Sequence, residues 1–421
     1  MPTPARPSQA PRQQVLAPGP GPRRDAPRGG LPRVTLSKNL QRSVLGGHPW
    51  LYREALEVPP GLRTGQVVDL VERSGRFLGR GLFDGESPIA LRLYTLDSRE
   101  PVDEALVGRR LTAARKARRG AIDPDHTDAF RLCHGEGDFL PGVVIDRYGP
   151  VAVVLFDGAA ARALIPGVVA AVQGLGGPLP ITALYERNQR RQGGGGQLLY
   201  GELPAAELLV REHGMRFLVD IVQGQKTGLF LDQRENRQLI RRYARGLTVW
   251  NGFAYTGGFS LAAALGGASR VVTVDSAGPA IAAARKNFVL NQLDPAAHEF
   301  YADDVFVHLQ QAAQRRQAYD LVIVDPPSFA PTHKALPTAL GAYRELHRLA
   351  LATVAPGGLL AAASCSSHVP EAEFLATLTD AAQHARRRLR VLEIHGQPAD
   401  HPSLPAFPEG RYLKFVLARI D

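Results

Sequence analysis

The chain has 421 residues, with 50 lysines and arginines against 40 aspartates and glutamates, a net charge of +10. Apolar residues make up 44% and charged residues 21%, so disorder throughout is excluded and the length calls for more than one domain. Only two cysteines occur, Cys133 and Cys365, without CxxC or Cys/His ligand spacing, which excludes a disulfide framework and a structural zinc site and points to a reducing compartment.

Residues 1–32 carry nine of the 33 prolines and five arginines with almost no large apolar residue, a composition that reads as a disordered tail. Between about 33 and 100, segments 65–71, 76–83 and 89–94 alternate apolar and polar residues between glycines, as in a small β-barrel or meander. Residues 101–119 suit a helix with a basic face, from Arg109, Arg110, Arg115, Lys116, Arg118 and Arg119. With that helix, a small α+β unit to about 212 has strand candidates at 142–146, 151–156 and 181–186 and a helix near 159–175. Arg187, Arg190 and Arg191 precede or flank a four-glycine run, a mobile basic loop suited either to RNA or to a solvated hairpin tip. From about 213 onward, continuous apolar strands (247–251, 270–275, 321–325, 358–364) alternate with helical stretches, the pattern of a doubly wound parallel sheet covered on both faces. No apolar run approaches the roughly 18–20 residues of a membrane span, and no secretory h-region is present. A cytoplasmic protein is expected. Its positive charge favours a polyanionic partner only if concentrated on one face.

Ligands of such sheets bind beyond the C-terminal strand ends, where Asn251, Asp275, Asp325 and Cys365 fall. The first strand runs through Asn251, Tyr255 and Thr256 into the glycine turn Gly257-Gly258, where a ligand can approach the backbone closely. Asp275, 18 residues after Gly257, suits the two hydroxyls of a ribose. The turn lacks the third glycine of a dinucleotide fingerprint, so the nucleoside is one without a pyrophosphate, S-adenosylmethionine (SAM). Asp303 and Asp304 suit the adenine amine or a helix cap. Asp325-Pro-Pro-Ser-Phe holds a carboxylate rigidly at a strand end, and Cys365 stands at the next strand end as a nucleophile, provided its pKa is lowered by neighbouring dipoles or charge. Asp232 and Glu235 are spaced as a capping box for a helix over 233–243, while Lys226, Thr227 and Arg234 add polar density suited to the methionine part of SAM or an RNA phosphate.

Together these residues resemble the RlmI-like family of 23S rRNA cytosine-5 methyltransferases. The resemblance rests on Gly47-His-Pro-Trp-Leu-Tyr-Arg, Leu140-Pro-Gly-Val-Val-Ile-Asp-Arg-Tyr-Gly, Gln225-Lys-Thr-Gly-Leu-Phe-Leu-Asp-Gln-Arg-Glu-Asn-Arg, Tyr255-Thr-Gly-Gly-Phe and Asp325-Pro-Pro-Ser-Phe, and spans nearly the whole chain after the tail. One departure is Gly252, where a bulky apolar residue is more usual. The resemblance implies an α/β fold: a PUA-like RNA-binding domain over 33–100, an α+β middle domain over 101–212 and a Rossmann-like SAM domain over 213–421. It further implies SAM held by Lys226, Thr227, Gly228, Asp232, Arg234, Asn251, Tyr255, Thr256, Gly257, Gly258, Asp275, Asp303, Asp304 and Asp325. RNA would be met by Lys38, His48, Trp50 and Arg53 as well as the basic loop, and Cys365 with Asp325 would carry the chemistry on 23S rRNA, as monomer or homodimer. Two other readings stay open: a methyltransferase of an exocyclic base amine, since Asp-Pro-Pro-Ser-Phe also resembles an amine-binding motif, and a non-catalytic RNA-binding ribosome-assembly factor.

Overall fold

A computed structural model describes residues 30–176, 180–188, 195–204, 207–330 and 332–421. Nearly all of the expected tail, together with Arg190 and Arg191, lies outside the described residues. Strands Arg33–Leu36, Trp50–Tyr52, Leu56–Glu57, Val67–Val71, Phe77–Phe83 and Ile89–Thr95 form one six-stranded sheet. Their alternation turns Val34, Leu36, Val68, Leu70, Leu91 and Leu93 into one core.

Helix Glu104–Ala117 follows, capped by the Asp103 carboxylate on the amide of Leu106. Part of the expected basic face is spent on the protein itself. Arg118 is buried with both its outer nitrogens on Asp138, and Arg110 donates to the carbonyls of Tyr94 and Phe139. A five-stranded sheet comes next, ordered Gly196–Gly201, Ala183–Arg187, Val151–Phe156, Val143–Tyr148, Ala129–His134. One face packs helices Glu104–Ala117 and Ile165–Gly174 through Leu106, Leu111, Val168 and Val172.

The boundary expected at 212/213 falls inside a hairpin, strands Glu207–Glu212 and Met215–Asp220 joined through His213 and Gly214, both at positive φ. An isolated hairpin is marginal in water. This one is buried through Leu208, Val210, Met215, Phe217 and Val219 in a core that also takes Tyr148, Val151 and Val153 of the middle sheet and Leu239, Leu261 and Phe288 of the C-terminal half. The two units therefore share a core.

The C-terminal half is a seven-stranded sheet of β1 (Thr248–Gly252), β2 (Arg270–Asp275), β3 (Glu299–Ala302), β4 (Tyr319–Val324), β5 (Val354–Ser364), β6 (Leu389–His395) and β7 (Lys414–Ile420), in spatial order 3-2-1-4-5-7-6. β1 to β5 are parallel, and β7 runs antiparallel between β5 and β6. Helices α1 (Arg234–Tyr243), α2 (Gly258–Leu265), α3 (Gly278–Leu290), α4 (Val305–Gln314), α5 (Leu336–Thr353) and α6 (Glu371–His384) cover both faces. The order reverses at β1/β4, so the crevice opens beyond the ends of β1, β2, β4 and β5. Gly252 has a local reason: a Cβ there would lie 2.5 Å from the ring of the fully buried Trp250, whose bulk occupies the space a larger residue would need. Among the described residues no helix is long and apolar enough to cross a membrane.

Candidate active site

A cleft of about 610 Å³ lies at these strand ends. β1 leaves the sheet through a tight turn in which Phe253, Tyr255 and Gly257 all take positive φ. At Gly257 (φ 77°) a side chain would be strained and its Cβ would sit 2.8 Å from Ala284 Cβ, so glycine is required there. The turn places Tyr255, Thr256 and Gly258 on the cleft wall. Asp275 ends β2 on the same wall. Its two oxygens accept from the amides of Tyr255 (2.8 Å) and Ala277 (2.9 Å), which fixes the carboxylate and leaves further lone pairs toward the cleft.

The segment before α1 forms the opposite wall. Lys226, at φ 49°, donates to Asp232 (2.7 Å) with its ammonium over the Phe230 ring, and Tyr412 donates to the same oxygen (2.7 Å). Burial alone would raise the Asp232 carboxyl, but Lys226, His401 and Tyr412 together outweigh it and hold it well below the usual carboxylate range. Asp232 is therefore not the helix cap that its spacing to Glu235 predicts. α1 starts two residues later without a side-chain cap, and Glu235 is bonded by His213 and Arg234.

At the centre stand the ends of β4 and β5. Burial, reinforced by the charge of Asp232, pushes the Asp325 carboxyl up to about 7. Cys365, the only cysteine on the cleft, has its thiol 4.0 Å from the Pro326 carbonyl. The nucleophilic role expected of Cys365 is conditional on a lowered thiol pKa. Instead burial, and next the Asp325 carboxylate, push it up to about 11. Hydroxyls tie the two strand ends together: Tyr343 donates to Ser364 (2.8 Å), and Ser328 and Ser366 bond each other (3.0 Å).

A family model described as S-adenosylmethionine-dependent methyltransferase matches residues 184–415, and one described as PUA-like domain matches 34–96. Proteins named ribosomal RNA large subunit methyltransferase I from Salmonella arizonae and Escherichia coli are 39% and 38% identical to this chain, over 92% of it and 98–99% of their own length. The chain belongs to this methyltransferase family. Its fold agrees: a Streptococcus mutans protein assigned as a SAM-dependent methyltransferase superposes with a TM-score of 0.81 at 25% identity, covering 92% of this chain and all of its own, and a methyltransferase solved with SAH does so equally well at 26% identity.

The residues of this methyltransferase fit SAM as its cofactor. Asp232 Oδ1, on the cleft, is buried without a hydrogen-bond partner among the described residues, as suits a carboxylate awaiting the ammonium of an amino acid. Not every residue expected at the cofactor reaches the cleft. Thr227 is fully buried and bonds Asp146 (2.6 Å) and Tyr148 (2.8 Å) of the middle sheet. Arg234 grips buried Asp400 with two nitrogens. Asn251 bonds Ser260 under the turn, Gly228 abuts Val219, and Asp304 caps α4 on the amide of Val307. Asp303 accepts from the Asp304 amide, and its own amide donates to the Asp275 carbonyl.

The expected RNA residues divide likewise. Lys38 and Arg53 are exposed, Arg53 donating to the Asp84 carbonyl. His48 and Trp50 turn inward: the Trp50 indole donates to Glu136 (2.7 Å) and meets Phe407 edge-on at 4.5 Å, with His48 against the same ring. Arg187 is buried, holding the carbonyls of Ile221 and Gly224 and lining the cleft. Sequence reasoning missed Phe230, Gln233, Arg237, Phe253, Leu155 and Asn188 on the cleft. For Gln233 and Arg237 a signal existed, since four residues apart they share one face of a helical turn.

Proposed function

We propose that this methyltransferase forms 5-methylcytidine in 23S ribosomal RNA in the cytoplasm, with Cys365 as nucleophile and Asp325 as its proton partner. The supporting observation is a thiol and a carboxyl on one cleft, the carboxyl poised near neutral pH. Bound SAM supplies an electrophilic methyl group. Asp325, when ionised, accepts the Cys365 proton and, then neutral, donates it to the cytosine ring nitrogen. The thiolate bonds to carbon 6, and the electron pair displaced from the carbon 5–carbon 6 double bond makes carbon 5 nucleophilic enough to take the methyl group, the donor's sulfur–methyl bond breaking to leave the neutral thioether S-adenosylhomocysteine (SAH). Loss of the carbon 5 proton to a base then re-forms the double bond as the sulfur leaves carbon 6 and Asp325 recovers its proton. The target base has to be unstacked to reach the cleft.

One observation favours a second reading: a thiol pushed up to about 11 is idle at neutral pH, as in a methyltransferase of an exocyclic amine held by Asp325. Nucleoside mass spectrometry of 23S rRNA incubated with the protein and methyl-labelled SAM separates them. Labelled 5-methylcytidine is expected, and Cys365→Ala should bind SAM and lose all methylation. Labelled N-methylated base, or full turnover by that variant, overturns the cysteine mechanism.

A further inference from the structure

The raised thiol leaves its activation unexplained, and Lys414 supplies a means. It is the first residue of β7, paired with Ser364 across the ladder, and is 5% exposed. Its ammonium donates to the carbonyls of Ser366 (2.6 Å), the residue after Cys365, and Tyr412 (2.9 Å). Among the described residues no carboxylate lies within 4.0 Å of it. A buried ammonium held by carbonyls alone is uncommon, because taking a charge out of water is costly without a counter-ion. Of the acidic groups around it, Cys365 acts on it most strongly and Glu371 next, and burial brings its own pKa down to about 8.

We propose that Lys414 is a positioning residue whose buried charge is reserved for the Cys365 thiolate, fixing the strand end that carries the thiol and offsetting its negative charge when the proton leaves. Lys414 makes and breaks no covalent bond in this role. It does not line the cleft, so it acts through Cys365 rather than on substrate. The charges that act most on the thiol are others, and they oppose one another. Asp325 and Asp232 disfavour the anion and Lys226 favours it, while Tyr343 and Tyr412, also in electrostatic contact with it, are both held neutral by raised pKa values. A cation spent on Asp232, as Lys226 is, has less to give than one without a carboxylate.

This inference rests on Cys365 being the nucleophile, and its test needs neither RNA nor methyl transfer. In the full-length protein the rate of Cys365 alkylation by iodoacetamide, read by peptide mass spectrometry between pH 6 and 10, reports the thiolate directly. Lys414→Gln keeps a donor and removes the charge. Below pH 8, where Lys414 carries its charge, the profile should lie about one pH unit higher, with alkylation roughly tenfold slower at pH 7, and the two profiles should converge as the pH rises past 8. Lys414→Arg, which keeps the charge, should stay within about threefold of the parent at the conversion of one pH unit to tenfold. A Gln variant that binds SAM normally and alkylates with the parental profile overturns the proposal. If the Gln variant does not bind SAM, Lys414→Met, which removes the charge and keeps the chain length, is read in its place: a Met variant that binds SAM and alkylates with the parental profile overturns the proposal, and one that binds SAM and alkylates roughly tenfold slower at pH 7 upholds it. Methylation by Cys365→Ala would instead overturn the nucleophile assignment and leave the alkylation result standing.

Discussion

Asp325 ends a strand that is otherwise apolar, and its placement alone shifts its chemistry. A carboxyl with an ordinary value of 3.8 sits at about 7 because burial and the neighbouring Asp232 disfavour its charge. Between those values the folded chain holds a proton that the unfolded chain has released, so stability falls as pH rises through that window. Asp325→Asn removes this dependence. Its thermal midpoint should exceed that of the parent by several degrees at pH 8 and match it at pH 4, and an unchanged midpoint at pH 8 would refute the assignment. The sequence showed Asp275, Asp325 and Cys365 because strand-end positions are legible from apolar runs. It could not show which way each polar side chain of the 225–237 segment points. Lys226 reaches the cleft and Thr227 faces Asp146 because the backbone takes a left-handed step at Lys226, which no spacing rule encodes.

At the scale of elements, α1 shows how charge is used inside this fold. Its first residue, Arg234, is 1% exposed and meets Asp400, which also accepts from the amide of Arg131. Removing one partner of a buried pair leaves the other uncompensated, which costs about 3–5 kcal/mol. Arg234→Met should lose stability of that order in urea denaturation. Were Arg234 a direct cofactor contact, SAM affinity would fall with stability unchanged. The period-3.6 and continuous apolar patterns made the helices and parallel strands of the C-terminal half legible. Antiparallel β7 and β6 and helix α6 were not singled out, and the hairpin at 207–220 was split, since a turn of His213 and Gly214 carries no strong punctuation.

Across the whole molecule, the PUA-like module meets the C-terminal half through Trp50, Phe407 and the His48–Glu409 contact, with Glu136 of the middle unit joining them. Trp50→Ala removes the packing and the indole hydrogen bond together. Limited proteolysis should then cut the 33–100 region faster, with SAM affinity retained. A variant with parental proteolysis and weakened RNA binding would return Trp50 to the RNA-facing role its motif suggested. Apolar patterning divides the chain after the tail into three successive units. Their mutual burial was not legible, because it depends on contacts far apart in sequence, such as Arg118 with the Asp400 carbonyl.

The hydrogen bonds that tie Thr227 to Asp146 and Tyr148 bear on how such a chain can be recombined. The loop that builds one wall of the cofactor cleft is seated on a strand belonging to the preceding unit, and the hairpin between them has its core on both sides. The C-terminal sheet thus carries Asp275, Asp325 and Cys365 at its strand ends but not the whole mould that shapes the cleft around them. A transplant made at the apparent domain border would carry a catalytic fragment with an unfinished wall, so the transferable unit is the middle domain and the SAM domain as one piece.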